Sequence, residues 1–169
     1  SNKNFDLSER TKVMLIKKLS ECSGHLGIAG GQYLDLNYEK KKVSRNKIID
    51  MEIKKTGMLF SFCCAAPAII KNKKNFDIRF FENIGSDIGL LFQISDDLID
   101  HKGNSKIAGK KTGKDQKKGK ATLIGLLGYN NAVKYCNSLI ININKKLQKY
   151  SSNSKKIKQT LEYILNRDR

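Results

Sequence analysis

The sequence predicts an all-α protein in which one layer of helices packs on another. Three observations carry that expectation. Apolar residues recur at helical spacing through most of the 169 residues. No segment shows the strict apolar–polar alternation of a half-buried strand. The intervening stretches are polar and rich in Lys, Gly or Asn.

The elements follow in order. Asp6 and Glu9 have capping-box spacing, which predicts a first helix through "RTKVMLIKKLSECSG". Gly24, Gly27, Gly30 and Gly31 in "GHLGIAGGQYLDL" recur at threes, which predicts one helix face where another backbone packs closely. "YEKKKVS" reads as a polar loop, with Ser44 placed to cap the next helix. That helix runs through "RNKIIDMEIKKTGMLFSFCCAAPAII". Its first half is amphipathic and its second half apolar nearly all round, as in a buried helix. Pro67, the single proline, should kink or shorten its C-terminal end. "KNKKN" is a short basic loop. The next helix covers Phe76 to Asp100. A loop, "HKGNSKIAGKKTGKDQKKGK", leads to two further helices, "ATLIGLLGYNNAVKYCNSLIININKKLQKY" and "SKKIKQTLEYILN".

The length allows one domain or part of a larger one. An apolar fraction of 39% and a mean hydropathy of −0.49 fit a soluble globular chain. No apolar run approaches the ~18 residues of a membrane span. "SNKNFDLSER" lacks a signal-peptide core, so a cytoplasmic location is expected. The net charge of +17 implies attraction to nucleic acid, a membrane surface or phosphate esters. Lys is interspersed with Asn and Ile throughout, as in a general compositional bias, so charge alone selects no partner. Cys22, Cys63, Cys64 and Cys136 show no paired metal spacing and read as buried, reduced thiols. With only His25 and His101 present, a His-rich metal site or a His-based triad has little to work with.

Acids are scarce, 16 against 33 Lys and Arg. Yet "FQISDDLIDHKG" gathers Asp96, Asp97 and Asp100 on one apolar helix. Asp96 and Asp100 share a face, with Phe92 before them, and Gln93 precedes Asp97 in the same way. Three anions this close repel unless a cation lies between them. Oxygen-only ligands select a hard ion, and Mg²⁺ binds jointly with substrate phosphates. The competing reading is a solvated acidic helix end, which predicts polar neighbours. Instead "IGLLFQIS" precedes the cluster, and the following loop offers Lys110, Lys111, Lys114, Lys117, Lys118 and Lys120. Two other phosphate or metal motifs fail. "GKDQKKGKA" has one residue too many for a P-loop, with Ala121 where the hydroxyl belongs. "SDDLIDHKGNSK" lacks the spacing and final Glu of a calcium loop.

Five stretches in order then resemble the trans-isoprenyl diphosphate synthases (polyprenyl synthetases), most closely the bacterial farnesyl diphosphate synthases. They are "GGQYLD" (Gly30 to Asp35), "KTG" (Lys55 to Gly57), "FQISDDLID" (Phe92 to Asp100), "GKKTGKD" (Gly109 to Asp115) and "GKATLIGLLG" (Gly119 to Gly128). The C-terminal "YILNRDR" is similar to the family's basic tail. The resemblance implies an isoprenoid-synthase-type helical bundle. It implies that Asp96, Asp97 and Asp100 hold Mg²⁺ against an allylic diphosphate. By the same resemblance Lys55, Lys110 and Lys120 contact diphosphate, Thr56 and Gln93 lie beside the reacting carbons, and Gln32 and Asp35 support the site. Phe60, Leu91 and Phe92 are apolar candidates for shielding a cation, with ordinary core packing the competing role of Phe60 and Leu91.

Two departures stand out. Leu123 and Ile124 follow Thr122, where many members carry an aromatic residue and a proline. The family's first aspartate-rich motif and its upstream basic motif for isopentenyl diphosphate do not occur before Gly30. Residues 1–169 therefore resemble the C-terminal part of a single synthase domain, expected to be inactive alone, with product length set elsewhere. The resemblance implies a homodimer acting on an allylic diphosphate and isopentenyl diphosphate. Alternatives are a geranylgeranyl or longer-chain synthase and a non-catalytic subunit of a heteromeric synthase. A basic nucleic-acid binder would explain the charge but not the aspartates.

Overall fold

The computed structural model describes residues 6–107 and 119–166, with side chains at 6–103 and 119–166. Among those residues every regular element is helical, as the periodicity predicts. In chain order they are α1 (Glu9–Ser23), α2 (Ile28–Tyr38), α3 (Arg45–Ile70), α4 (Asn75–Ile107), α5 (Leu123–Leu127), α6 (Tyr129–Leu147), a 3₁₀ stretch (Gln148–Ser154) and α7 (Lys155–Asn166).

Ser8, not Asp6, caps α1. Its hydroxyl accepts the Thr11 amide at 3.2 Å and bonds the buried Thr11 hydroxyl at 2.9 Å. Helix starts at Glu9, so only Ser8 stands in reach of the third amide. The glycines do not share one face either. Gly24 ends α1 and Gly27 precedes α2, so both belong to the turn between them. Gly27 lies against the backbone of Cys22 at the end of α1, and of the four Gly31 alone meets α3. A Cβ there would overlap the backbone of Lys54 and Lys55 on α3.

Helix α3 spans the predicted stretch but contains a π turn, Ile53–Gly57, between two α-helical parts. Ser44 makes no side-chain capping bond. Pro67 sits in the last turn, and the helix ends at Ile70 with the Lys71 amide on the Pro67 carbonyl at 3.0 Å. Cys22 and Cys136 are buried, but Cys63 is exposed and Cys64 half-buried, because neighbours on a helix face different ways. No uninterrupted apolar run marks α3 as a span. Its length and a mean hydropathy of 1.3 over an 18-residue window nevertheless meet the composition test for one. Here it packs along α4. Gly85 and Gly89 of α4 lie against the backbones of Phe60 and Gly57, so the two axes approach closely.

Helix α4 continues past Asp100 to Ile107. A lone Gly103 costs a helix only about 1 kcal/mol, so the lysine- and glycine-rich composition did not end it. The stretch predicted as a single helix after Lys120 is broken at Gly128. That residue ends α5 and starts α6 with φ 78°, a conformation costly for side-chain-bearing residues. The core centres on α4, α6 and α7, around Ile84, Leu91, Ile94, Leu98, Ile143 and Leu161.

One buried polar bond ties α7 to the aspartate helix. Ser95, 1% exposed, donates its hydroxyl to the Ile164 carbonyl at 2.7 Å. Ser95→Ala should cost about 1–2 kcal/mol in urea unfolding, the loss of a buried hydrogen bond between two helices. An unchanged midpoint would remove this role.

Candidate active site

Three helices converge on one cavity. From α3, the π turn presents Lys55 and Thr56. Such turns, common at functional sites, rotate side chains relative to a regular helix. From α2, Asp35 is one turn beyond Gly31 and 8% exposed. Because Gly31 lets α2 touch α3, the Lys55 ammonium reaches Asp35 Oδ2 at 2.5 Å. From α4, Gln93 joins the layers. Thr56 donates its hydroxyl to Gln93 Oε1 at 2.8 Å, and Gln93 Nε2 donates to Asp97 Oδ1 at 3.1 Å. A carboxylate can only accept, so this relay fixes which end of the amide faces Thr56. On the far side, the Lys40 amide donates to the Gly119 carbonyl at 2.7 Å, which anchors the backbone just before Lys120.

The cavity they enclose measures about 110 Å³. Asp35, Lys55, Gln93, Asp96, Asp97, Asp100 and Lys120 all line it, with Met51, Glu52, Ala121 and Thr122. Thr56 adjoins it through Gln93. Gln32 is exposed on α2 and does not line it, because the buried face of α2 runs through Gly31 and Asp35. Lys110 and its neighbouring loop lysines lie outside the described residues. Leu91 is wholly buried core, while the Phe60 and Phe92 rings pack against each other at a 40° tilt with centroids 5.4 Å apart. His101 packs on the Tyr129 ring and does not line this cavity.

Glu52 is the site residue that sequence reasoning missed. It is 2% exposed, and neither carboxylate oxygen has a hydrogen-bond partner among the described residues. Burial pushes its carboxyl well above the usual range, and Asp97 and Asp35 push the same way. The Leu123 amide and Lys55 oppose that rise, but the amide makes no hydrogen bond to either oxygen. The available signal was position: Glu52 precedes Lys55 by three residues, within one helical turn.

Among the described residues no three His, Cys, Asp or Glu side chains converge tightly enough to hold an ion alone. Asp96 and Asp97 are adjacent and so diverge around α4, and Asp100 is exposed. This open, oxygen-only set suits Mg²⁺, which takes one or two carboxylates and fills its other positions with water and phosphate.

A family profile described as polyprenyl synthetase matches residues 4–164. The chain belongs to the polyprenyl synthetase family. Farnesyl diphosphate synthase of Micrococcus luteus is 31% identical over 166 residues, covering 98% of this chain and 57% of that protein. Geranylgeranyl pyrophosphate synthase 4 of Arabidopsis thaliana is 29% identical, covering 96% of this chain and 45% of that protein. The crystal structure of a Helicobacter pylori geranyltransferase complexed with magnesium and isoprenyl diphosphate superposes with TM-score 0.76 at 27% identity, over 96% of this chain and 54% of that one. This polyprenyl synthetase chain thus spans about half the length of the relatives it matches. Its helical bundle is the isoprenyl diphosphate synthase fold.

Proposed function

We propose that this chain forms the C-terminal part of a trans-prenyltransferase domain that condenses an allylic diphosphate with isopentenyl diphosphate. The observation that carries the proposal is the shared cavity of Lys55, Lys120, Gln93 and the aspartates Asp96, Asp97 and Asp100. A carboxylate wall faced by ammonium groups suits a diphosphate and a divalent cation bound together. Mg²⁺ held by Asp96, Asp97 and Asp100 would stabilise the negative charge that accumulates on the departing diphosphate.

The chain's own residues do the rest. Lys55 keeps one donor on Asp35 and has two left for phosphate oxygens. Lys120, with Lys110, adds charge at the same group. The carbon–oxygen bond to diphosphate breaks, and both electrons leave with the diphosphate. Thr56 and Gln93 direct oxygen dipoles toward the allylic cation that remains. The double bond of isopentenyl diphosphate attacks that cation, and the new adduct loses a proton to the released diphosphate. No protein base is required, which agrees with two histidines outside the cavity.

Farnesyl diphosphate is the proposed product, with geranylgeranyl diphosphate the alternative, since relatives of both kinds match. The first aspartate-rich motif and the isopentenyl diphosphate site would come from sequence beyond these 169 residues, and a homodimer is expected. The test is a synthase domain carrying this chain, incubated with dimethylallyl or geranyl diphosphate, isopentenyl diphosphate and Mg²⁺. Chromatography should show a lengthened prenyl diphosphate. No product at any metal concentration would sink the proposal.

A further inference from the structure

We propose that Glu52 is an additional positioning residue of this site, an outer-sphere carboxylate that accepts hydrogen bonds from water carried by the divalent cation. The inference rests on the proposal that the cavity takes such a cation with diphosphate. It starts from an imbalance. Glu52 is 2% exposed on the cavity wall, and both of its oxygens lack partners among the described residues. Buried polar groups are almost always hydrogen-bonded, and an unpartnered buried carboxylate is expensive.

The surroundings do not cancel that cost. Asp35 and Asp97 are acceptors and repel it, and neither Lys55, which pairs with Asp35, nor the Leu123 amide makes a hydrogen bond to its oxygens. A ligand that brings donors of its own would satisfy it. Phosphate oxygens only accept. Mg²⁺ dehydrates reluctantly and keeps several waters, each with protons to give. Acting through water, Glu52 would fix the cation's orientation from the α3 side while the aspartates hold it from α4.

The probe is Mn²⁺, titrated into the full 169-residue chain with and without inorganic pyrophosphate. Affinity is read calorimetrically and the number of bound waters by proton relaxation. Glu52→Gln should bind Mn²⁺ about 10–100-fold more weakly, with the same number of waters on the ion. In chelator, the same variant should melt at least as high as the parent, because it removes an unpartnered acid. That opposite pairing separates positioning from a structural role, which would lower both affinity and melting temperature. A carboxylic acid donating to phosphate would be well replaced by the glutamine amide, so affinity within twofold of the parent overturns the inference. A gain of one water on the bound ion also overturns it, by making Glu52 a direct ligand. If the parent binds no Mn²⁺ even with pyrophosphate, the cation site itself fails and the inference falls with it. Parent binding with an unaffected variant sinks the Glu52 role alone.

Discussion

Gly31→Val should destabilise the fold by about 3 kcal/mol or more and separate Lys55 from Asp35 in the same step. In an ordinary helix, replacing glycine by a residue with a side chain gains backbone entropy worth a few tenths to about 1 kcal/mol. At Gly31 the sign reverses. The first added carbon already overlaps the backbone amide and Cα of Lys55, and backbone cannot swing aside as a flexible side chain can. Overpacking costs typically 1–3 kcal/mol, and valine adds two further methyls to a clash that starts at Cβ. Relief requires α2 to move away from α3. Asp35, one turn along the same face, would move with it and leave the Lys55 ammonium. Urea unfolding should show a lower midpoint with an unchanged slope. Diphosphate binding should weaken in the residual folded fraction. A midpoint at or above that of the parent would mean that the two helices do not depend on this close approach.

Glycine periodicity alone did not single out Gly31. The run of threes from Gly24 mixes a turn between helices with a helix contact, and only the path of α3 separates them. Elsewhere local pattern was enough. The amphipathic-then-apolar course of Arg45–Ile70 identified α3, and spacing put Asp96 and Asp100 on one face of α4, while the fold brings Asp97 to the same cavity. What local pattern lacks is any term for approach between distant segments. The pairing of Asp35 with Lys55 spans 20 positions, and that of Thr56 with Gln93 spans 37. Family resemblance brought those residues to one site, where periodicity could not. Glu52 shows the converse. An acid in the amphipathic half of a helix reads as solvated. Its burial depends on tertiary packing, for it lines the cavity beside Asp97 of α4 and beside Ala121 and Thr122, which lead into α5. Gln32 belongs to a recognisable motif yet faces outward, since the motif records spacing and not which face of α2 meets α3.

Lys55→Ala should lower kcat/KM for prenyl transfer by about 10²–10³-fold in a synthase that carries this chain, the usual loss when one preorganised donor to developing negative charge is removed. The side chain is 30% exposed at the cavity, close enough to solvent to meet a diphosphate and close enough to Asp35 to be aimed. Removing it has two consequences that must be separated. The transition state loses a cation beside the departing diphosphate. Asp35, 8% exposed, loses its ion partner and is left as a nearly buried carboxylate, with a cost of about 1–3 kcal/mol in stability. Asp35→Asn on the Lys55→Ala background removes that second cost, because an amide carries no charge to strand. The double variant should therefore recover most of the lost stability while its rate stays low. Recovery of rate together with stability would make Lys55 a structural counter-ion of Asp35 and nothing more. A single variant with normal kinetics would take Lys55 out of diphosphate binding altogether. The ion pair has a defined part in either case, but only the uncoupling of rate from stability assigns the ammonium to chemistry, with Asp35 as the group that points it there.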